Sequence, residues 1–155
     1  MTQRLLGSVL FACDQNAVRS PMAEGLMKQR FGNRVYVDSV GVRGADLDPF
    51  ALVVLKEAGV ELSRHRGKTF GELPDTSFDV IVSLSAGAQH SAVELTRTMA
   101  CELAFWPTED PTAVRGSREV IVTAYRDVRD AIAARIERFV GDASGATETL
   151  SGESA

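Results

Sequence analysis

The run Ser8-Val9-Leu10-Phe11-Ala12-Cys13-Asp14-Gln15-Asn16-Ala17-Val18-Arg19-Ser20-Pro21-Met22-Ala23-Glu24 changes character twice. Residues 8–12 form a short, unbroken apolar run, which suits a strand covered on both faces. The stretch from Cys13 to Ser20 is largely polar. After Pro21 the apolar residues Ala23, Leu26, Met27 and Phe31 recur at helical spacing, and Gly32 supplies a stop. A strand that passes through a short loop into a helix is the opening unit of a parallel sheet with crossover helices.

The alternation continues outward from that run. Residues 34–39 read as a second strand and 41–48 as a loop. Asp48-Pro49 then supplies an N-cap and a first helical position. The following helix has an inward face of Ala51, Val54, Leu55 and Ala58 and ends at Gly59. Residues 79–84 read as a third strand and 88–99 as a helix with Ala92, Leu95 and Met99 inward. Residues 101–105 read as a fourth strand and 106–116 as a loop. Ser117 caps a long helix whose stripe is Ile121, Ala124, Tyr125, Val128, Ile132, Ile136 and Phe139. From Gly141 the chain turns to Gly, Ser, Thr, Ala and Glu, too little to bury, so a disordered tail is expected over 141–155. The fold class is thus α/β: one domain over 1–140, a four-stranded parallel sheet with helices on both faces. Such sheets bind ligands at the C-terminal ends of their strands.

Composition narrows the class. The chain has 155 residues, 45% hydrophobic and 25% charged, with a formal net charge of −4. That is the profile of one ordinary soluble domain. The negative balance argues against nucleic acid as a partner. No apolar run approaches the ~20 residues that span a bilayer, so no membrane is expected. The first residues lack the apolar core of a signal peptide, so the cytoplasm is the expected location. Oligomeric state is not legible. Two cysteines, Cys13 and Cys101, and two histidines, His65 and His90, stand at no metal-site spacing, so no metal is expected.

The loop itself carries the chemistry. Cys13 and Arg19 are separated by five residues and followed by Ser20. Given this composition, chance supplies roughly 0.03 such matches, and fewer between a strand and a helix. A loop in that place can aim successive backbone N–H groups at one centre. Arg19 adds a planar fork for two oxygens of a tetrahedral oxyanion. The same amides, the helix dipole and Arg19 favour a thiolate at Cys13, and such surroundings bring cysteine pKa values from ~8.5 to between ~3.5 and 7.5. A thiolate facing a tetrahedral oxyanion is a nucleophile in place. Ser20 can hydrogen-bond the sulfur. The leaving oxygen needs a proton donor, and Asp110, with Pro111 after it, lies in the loop beyond the fourth strand. An Asp-Pro pair is also an ordinary turn signal.

The quoted run resembles the signature of low-molecular-weight protein tyrosine phosphatases, whose fold is shared by thioredoxin-linked arsenate reductases. The resemblance extends over 8–140, through Asp38-Ser39, His65, Asp110-Pro111 and the last helix. It implies the phosphatase fold and a two-step hydrolysis of aryl phosphomonoesters, phosphotyrosine in proteins among them. Cys13 would form a cysteinyl phosphate. Arg19 and the amides of residues Asp14, Gln15, Asn16, Ala17, Val18, Arg19 and Ser20 would bind the phosphoryl oxygens. Asp110 would act as acid and then base. Asn16 would hold the loop, and Ser20, Ser39 and His65 would support it. No cofactor is implied, and the partner would be a phosphorylated protein or a small aryl phosphate.

The departures from the family pattern bear on substrate. Ala17-Val18 stand where many members carry a second cysteine, Gln15 where glycine is common, and Ser85 where many phosphatases have aspartate. Thr112 and Ala113 replace aromatic residues after Asp110-Pro111, which removes one wall of a phosphotyrosine slot. Arg64, Arg66 and Lys68 offer either a basic rim or solvated loop charges. Two other readings stay open. One is arsenate reduction with an external small thiol, since residues 82–88 lack the cysteines of an internal relay and Cys101 reads as a buried, inert thiol. The other is a phosphate-binding module without catalysis.

Overall fold

A computed structural model of the chain describes residues 7–62, 65–73 and 77–154, with side chains as far as 142. Four strands, β1 (Ser8–Cys13), β2 (Tyr36–Gly41), β3 (Val80–Ser83) and β4 (Glu102–Phe105), form one parallel sheet in the order β2-β1-β3-β4. Four helices connect and follow them: α1 (Arg19–Phe31), α2 (Pro49–Glu57), α3 (Ala86–Leu95) and α4 (Arg118–Ser154). The expected α/β class, parallel sheet and helix order are therefore present.

Strand alternation sorts the core. On β1, Val9, Phe11 and Cys13 join the cluster formed with α1, α2 and α4, while Leu10 and Ala12 join the cluster under α3. Both neighbours of β1 are strands, so all of β1 but Ser8 is buried. The chain leaves β1 toward β2 on one side and reaches β3 on the other. The loop after Cys13 therefore stands where the strand order reverses, the place at which open α/β sheets take ligands.

Several boundaries differ from the sequence reading. The second strand runs 36–41 rather than 34–39. Arg34 and Val35 instead donate to the Phe31 carbonyl and close the end of α1, and Val40 and Gly41 pair with Ala12 and Cys13. Helix α3 begins at Ala86, two residues early, because Ser85 caps it by accepting from the Ala88 amide at 3.2 Å. It ends at Leu95, so Met99 is buried beyond the helix rather than on it. The fourth strand begins at Glu102, one residue after Cys101. The loop after β4 contains a 3-10 turn over Pro111–Ala113. The expected disordered tail is also corrected: α4 continues through Gly141 to Ser154. The extension contains Gly141, Gly145 and Gly152, each costing a helix about 1 kcal/mol relative to alanine, but no proline, the residue that would break it. Among the described residues no helix is long and apolar enough to cross a membrane.

Candidate active site

Cys13 is the last residue of β1, and the loop 14–18 turns over the C-terminal edge of the sheet into α1. The turn requires a left-handed residue. Asn16, at φ 56°, takes that conformation, which asparagine tolerates better than most residues. The loop also passes close to β2. A Cβ on Gly41 would overlap the Arg43 carbonyl and lie 2.6 Å from the Asn16 nitrogen, so glycine is required there on steric grounds.

Asn16 is the hub of the support. Its side-chain amide donates to Ser20 Oγ at 2.8 Å and to Ser39 Oγ at 2.9 Å. Its Oδ1 accepts from the Lys68 amide at 3.1 Å, and its carbonyl accepts from His65 Nε2 at 3.1 Å. The expected supporting residues Ser20, Ser39 and His65 thus meet at one asparagine. Asn16, Ser20 and Ser39 are fully buried, where a polar network stays rigid only if its members are satisfied. Ser39 passes the chain on, donating to Glu24 Oε1 at 2.5 Å, and Lys28 pairs with the other oxygen of Glu24 at 2.6 Å. Glu24 and Lys68 were not legible as supports, since the loop-supporting partners Ser39 and Asn16 come from other segments.

The sulfur sits inside this support. Cys13 Sγ lies 3.0 Å from Ser20 Oγ and 3.4 Å from the Ser20 amide, which donates to it. Ser20 Oγ also lies 3.2 Å from the Val40 carbonyl. The hydroxyl has one proton for these two acceptors. With a thiol at Cys13 the proton can stay on Val40, and with a thiolate it can turn to the sulfur. Among the described residues the backbone N–H groups of Gln15, Asn16, Ala17 and Val18 have no acceptor. Asn16, Ala17 and Val18 are buried and Gln15 is exposed. Donors left unpaired in a buried loop are costly, and an oxyanion would satisfy them.

Arg19 joins the loop to the segment after β4. Its Nη1 donates to the Thr108 carbonyl at 3.0 Å, and its Nη2 donates to Asp14 Oδ2 at 3.3 Å. Asp110 Oδ2 lies 3.8 Å from the same Nη2. The remote Asp110 is thereby brought to the guanidinium of the Cys13 loop. Asp110 caps the 3-10 turn, its Oδ1 accepting from the Thr112 amide at 3.0 Å and the Thr112 hydroxyl at 2.7 Å. Burial pushes the Asp110 carboxyl up, but the two Thr112 hydrogen bonds and the Arg19 charge outweigh it and hold the group below its ordinary value. Asp110 also lines a groove together with Trp106, Pro107, Val128, Ile132 and Arg135.

Other expected features fall elsewhere. Lys68 is not a rim charge, because it pairs with Asp38 at 2.6 Å. Arg66 is exposed, and Arg64 lies outside the described residues. Cys101 is half-buried rather than buried, and burial pushes its thiol up. It precedes β4 at the N-terminal edge of the sheet, whereas Cys13 closes β1 at the opposite edge. The register puts them roughly 15 Å apart along the strands and two strand spacings of ~4.8 Å apart across them.

The sequence profile of the low molecular weight phosphotyrosine protein phosphatases matches residues 8–151. The chain belongs to that family. An arsenate reductase of Halalkalibacterium halodurans is 31% identical over 132 residues, covering 84% of this chain and 93% of that protein. A solved arsenate reductase in its phosphate-binding state superposes with a TM-score of 0.73 at 25% identity, covering 88% of this chain and 98% of the other. The YwlE arginine phosphatase of Geobacillus stearothermophilus superposes at 0.72 with 24% identity, covering 94% and 96%. The family fold thus carries both phosphatases and arsenate reductases.

Proposed function

We propose that this member of the family hydrolyses phosphomonoesters, aryl phosphates among them, through a cysteinyl-phosphate intermediate. The observation that carries the reading is the convergence on Arg19, which ties the Cys13 loop to Asp110 at 3.8 Å. In the first step the Cys13 thiolate attacks phosphorus while the loop amides and Arg19 hold the non-bridging oxygens. The bond to the ester oxygen breaks, and Asp110 delivers a proton to that oxygen. A bound oxyanion opposite Arg19 removes the charge that holds the Asp110 proton off, so binding favours the acid form. In the second step the Asp110 carboxylate takes a proton from water as the water attacks phosphorus. Sulfur leaves as thiolate, stabilised by the Ser20 hydroxyl and amide. The substrate is a phosphorylated protein or a small aryl phosphate.

A second reading is arsenate reduction with an external low-molecular-weight thiol, and the arsenate reductases among the relatives favour it by name. Cys13 would displace water from arsenate. An external thiol would then attack the Cys13 sulfur, forming a mixed disulfide and releasing arsenite, and a second thiol would free Cys13. An internal relay is disfavoured by the position of Cys101 at the far edge of the sheet.

Turnover of p-nitrophenyl phosphate by the wild type, Cys13→Ser and Asp110→Asn tests the first reading. The expected result is hydrolysis by the wild type and none by Cys13→Ser, which still binds phosphate. Asp110→Asn is expected to lose about 10²-fold or more in kcat with poor leaving groups. An active Cys13→Ser protein sinks the mechanism. A wild type inert toward esters that oxidises glutathione or mycothiol in an arsenate-dependent way establishes the second reading instead.

A further inference from the structure

We infer that Asp14 is a binding-site residue that holds down the affinity of the Cys13–Arg19 loop for tetrahedral dianions. The inference rests on the reading of the loop as an oxyanion site.

Asp14 is the first residue after the nucleophile, and its carboxylate is fixed from two sides. Ser85 Oγ donates to Oδ1 at 2.7 Å, and Arg19 Nη2 donates to Oδ2 at 3.3 Å. Its backbone carbonyl accepts from the Arg43 amide at 2.8 Å. Ser85 caps α3, so the carboxylate lies over the positive end of that helix. A Cβ on Gly87, in the first turn of α3, would stand 3.1 Å from Asp14 Oδ1, tight enough to crowd it. The first turn of α3 therefore supplies both a donor and room for this carboxylate.

The charge balance follows. A guanidinium has five N–H bonds. Arg19 directs one to Thr108 and one to Asp14, and its side chain is 8% exposed, whereas the Asp14 side chain is 50% exposed. Asp110 faces the same Nη2. Two carboxylates thus share one guanidinium, and an arriving dianion meets a net negative set of side chains. The loop amides and the start of α1 must supply the attraction. A free ion has nothing beyond this cradle, so the Asp14 charge acts on the whole of its affinity. Asp14 therefore raises KM and the inhibition constant of phosphate alike.

Phosphate is titrated calorimetrically into Cys13→Ser, Cys13→Ser with Asp14→Asn, and Cys13→Ser with Asp14→Thr. Asn keeps the shape and an acceptor for Ser85, while Thr removes the carboxylate altogether. The expected result is phosphate binding about tenfold tighter in both Asp14 variants. With Cys13 intact, Asp14→Asn should lower KM for p-nitrophenyl phosphate and the inhibition constant of phosphate together. Weaker or unchanged phosphate binding in the Asp14 variants overturns the inference, since it would mark Asp14 as a residue that merely positions Arg19. Absence of phosphate binding in all three proteins overturns the reading of the loop itself, and the inference with it.

Discussion

Asp110 meets opposed demands. A general acid must hold a proton, yet the Thr112 hydrogen bonds and the Arg19 charge favour its ionised form in the free protein. Because kcat/KM reports the free enzyme, its fall with rising pH should begin on the acid side of the ordinary carboxylate range. Once an oxyanion is bound against Arg19, the proton is held more tightly, so the corresponding limb of kcat should lie at higher pH. Thr112→Ala removes the hydroxyl that favours the carboxylate, and the kcat/KM limb should move to higher pH while the protein stays folded. A pH profile with a poor leaving group checks this, and an unmoved or acid-shifted limb would remove Asp110 from the role. Loop spacing singled out Cys13, Arg19 and Ser20, while Asn16 entered only through the family resemblance. Ser39 and His65 were legible from the resemblance. Thr108 and Thr112 were not, because a carbonyl that receives a guanidinium and a hydroxyl that turns onto its own cap leave no periodic or compositional mark.

Helical periodicity predicted most of the inward faces of α1, α2 and α4, since burial against the sheet imposes a repeat on sequence, but it placed Ala58 on α2, which ends at Glu57, and missed Val122 and Val140 on α4. Strand ends were less legible, as at β2, where turn hydrogen bonds rather than hydropathy set the boundary. The clamp between α2 and α4 lies on exposed faces that periodicity leaves unread. Arg126 donates to both oxygens of Glu57, with Nη2 at 2.8 Å from Oε2, and Arg129 reaches Oε1 at 2.9 Å. Hydrogen bonding to Arg126 leads the causes that outweigh desolvation and lower the Glu57 pKa to about 2. A carboxyl whose pKa is lowered by folding adds stability above its unfolded value, lost as pH falls through the folded one. The clamp should therefore contribute fully above about 4.5 and fade toward about 2. Glu57→Gln should lower the urea midpoint at pH 7, with the difference from wild type shrinking across that window and in high salt. A difference that persists unchanged at the acid end would show that the carboxylate charge is not what joins the helices.

At the scale of the molecule, the loop must be held against both the sheet and the helical layer, and Asp48 makes the second connection. Its amide donates to the Ala17 carbonyl at 3.0 Å, its Oδ1 caps α2 by accepting from Phe50 at 2.8 Å, and its Oδ2 accepts from the Tyr125 hydroxyl on α4 at 2.9 Å. One residue thus links the loop to two helices. The sequence disclosed the cap through Asp48-Pro49, but the link to Tyr125 spans 77 positions and becomes visible only in three dimensions. Burial, followed by the bond to Asp48, holds the Tyr125 phenol protonated well above its ordinary range, so the bond persists wherever Asp48 is ionised. Asp48→Ala removes a cap worth about 1 kcal/mol and strands a buried phenol at about 1–2 kcal/mol more. The expected loss of about 2–3 kcal/mol should lower Tm by roughly 4–12 °C. Tyr125→Phe deletes one of these bonds without orphaning a buried donor, so it should cost less. If Asp48 also steadies the loop through Ala17, phosphate binding by Cys13→Ser should weaken in Asp48→Ala and hold in Tyr125→Phe. Equal stability losses in the two variants would instead assign the whole effect to the helix contact and none to the cap.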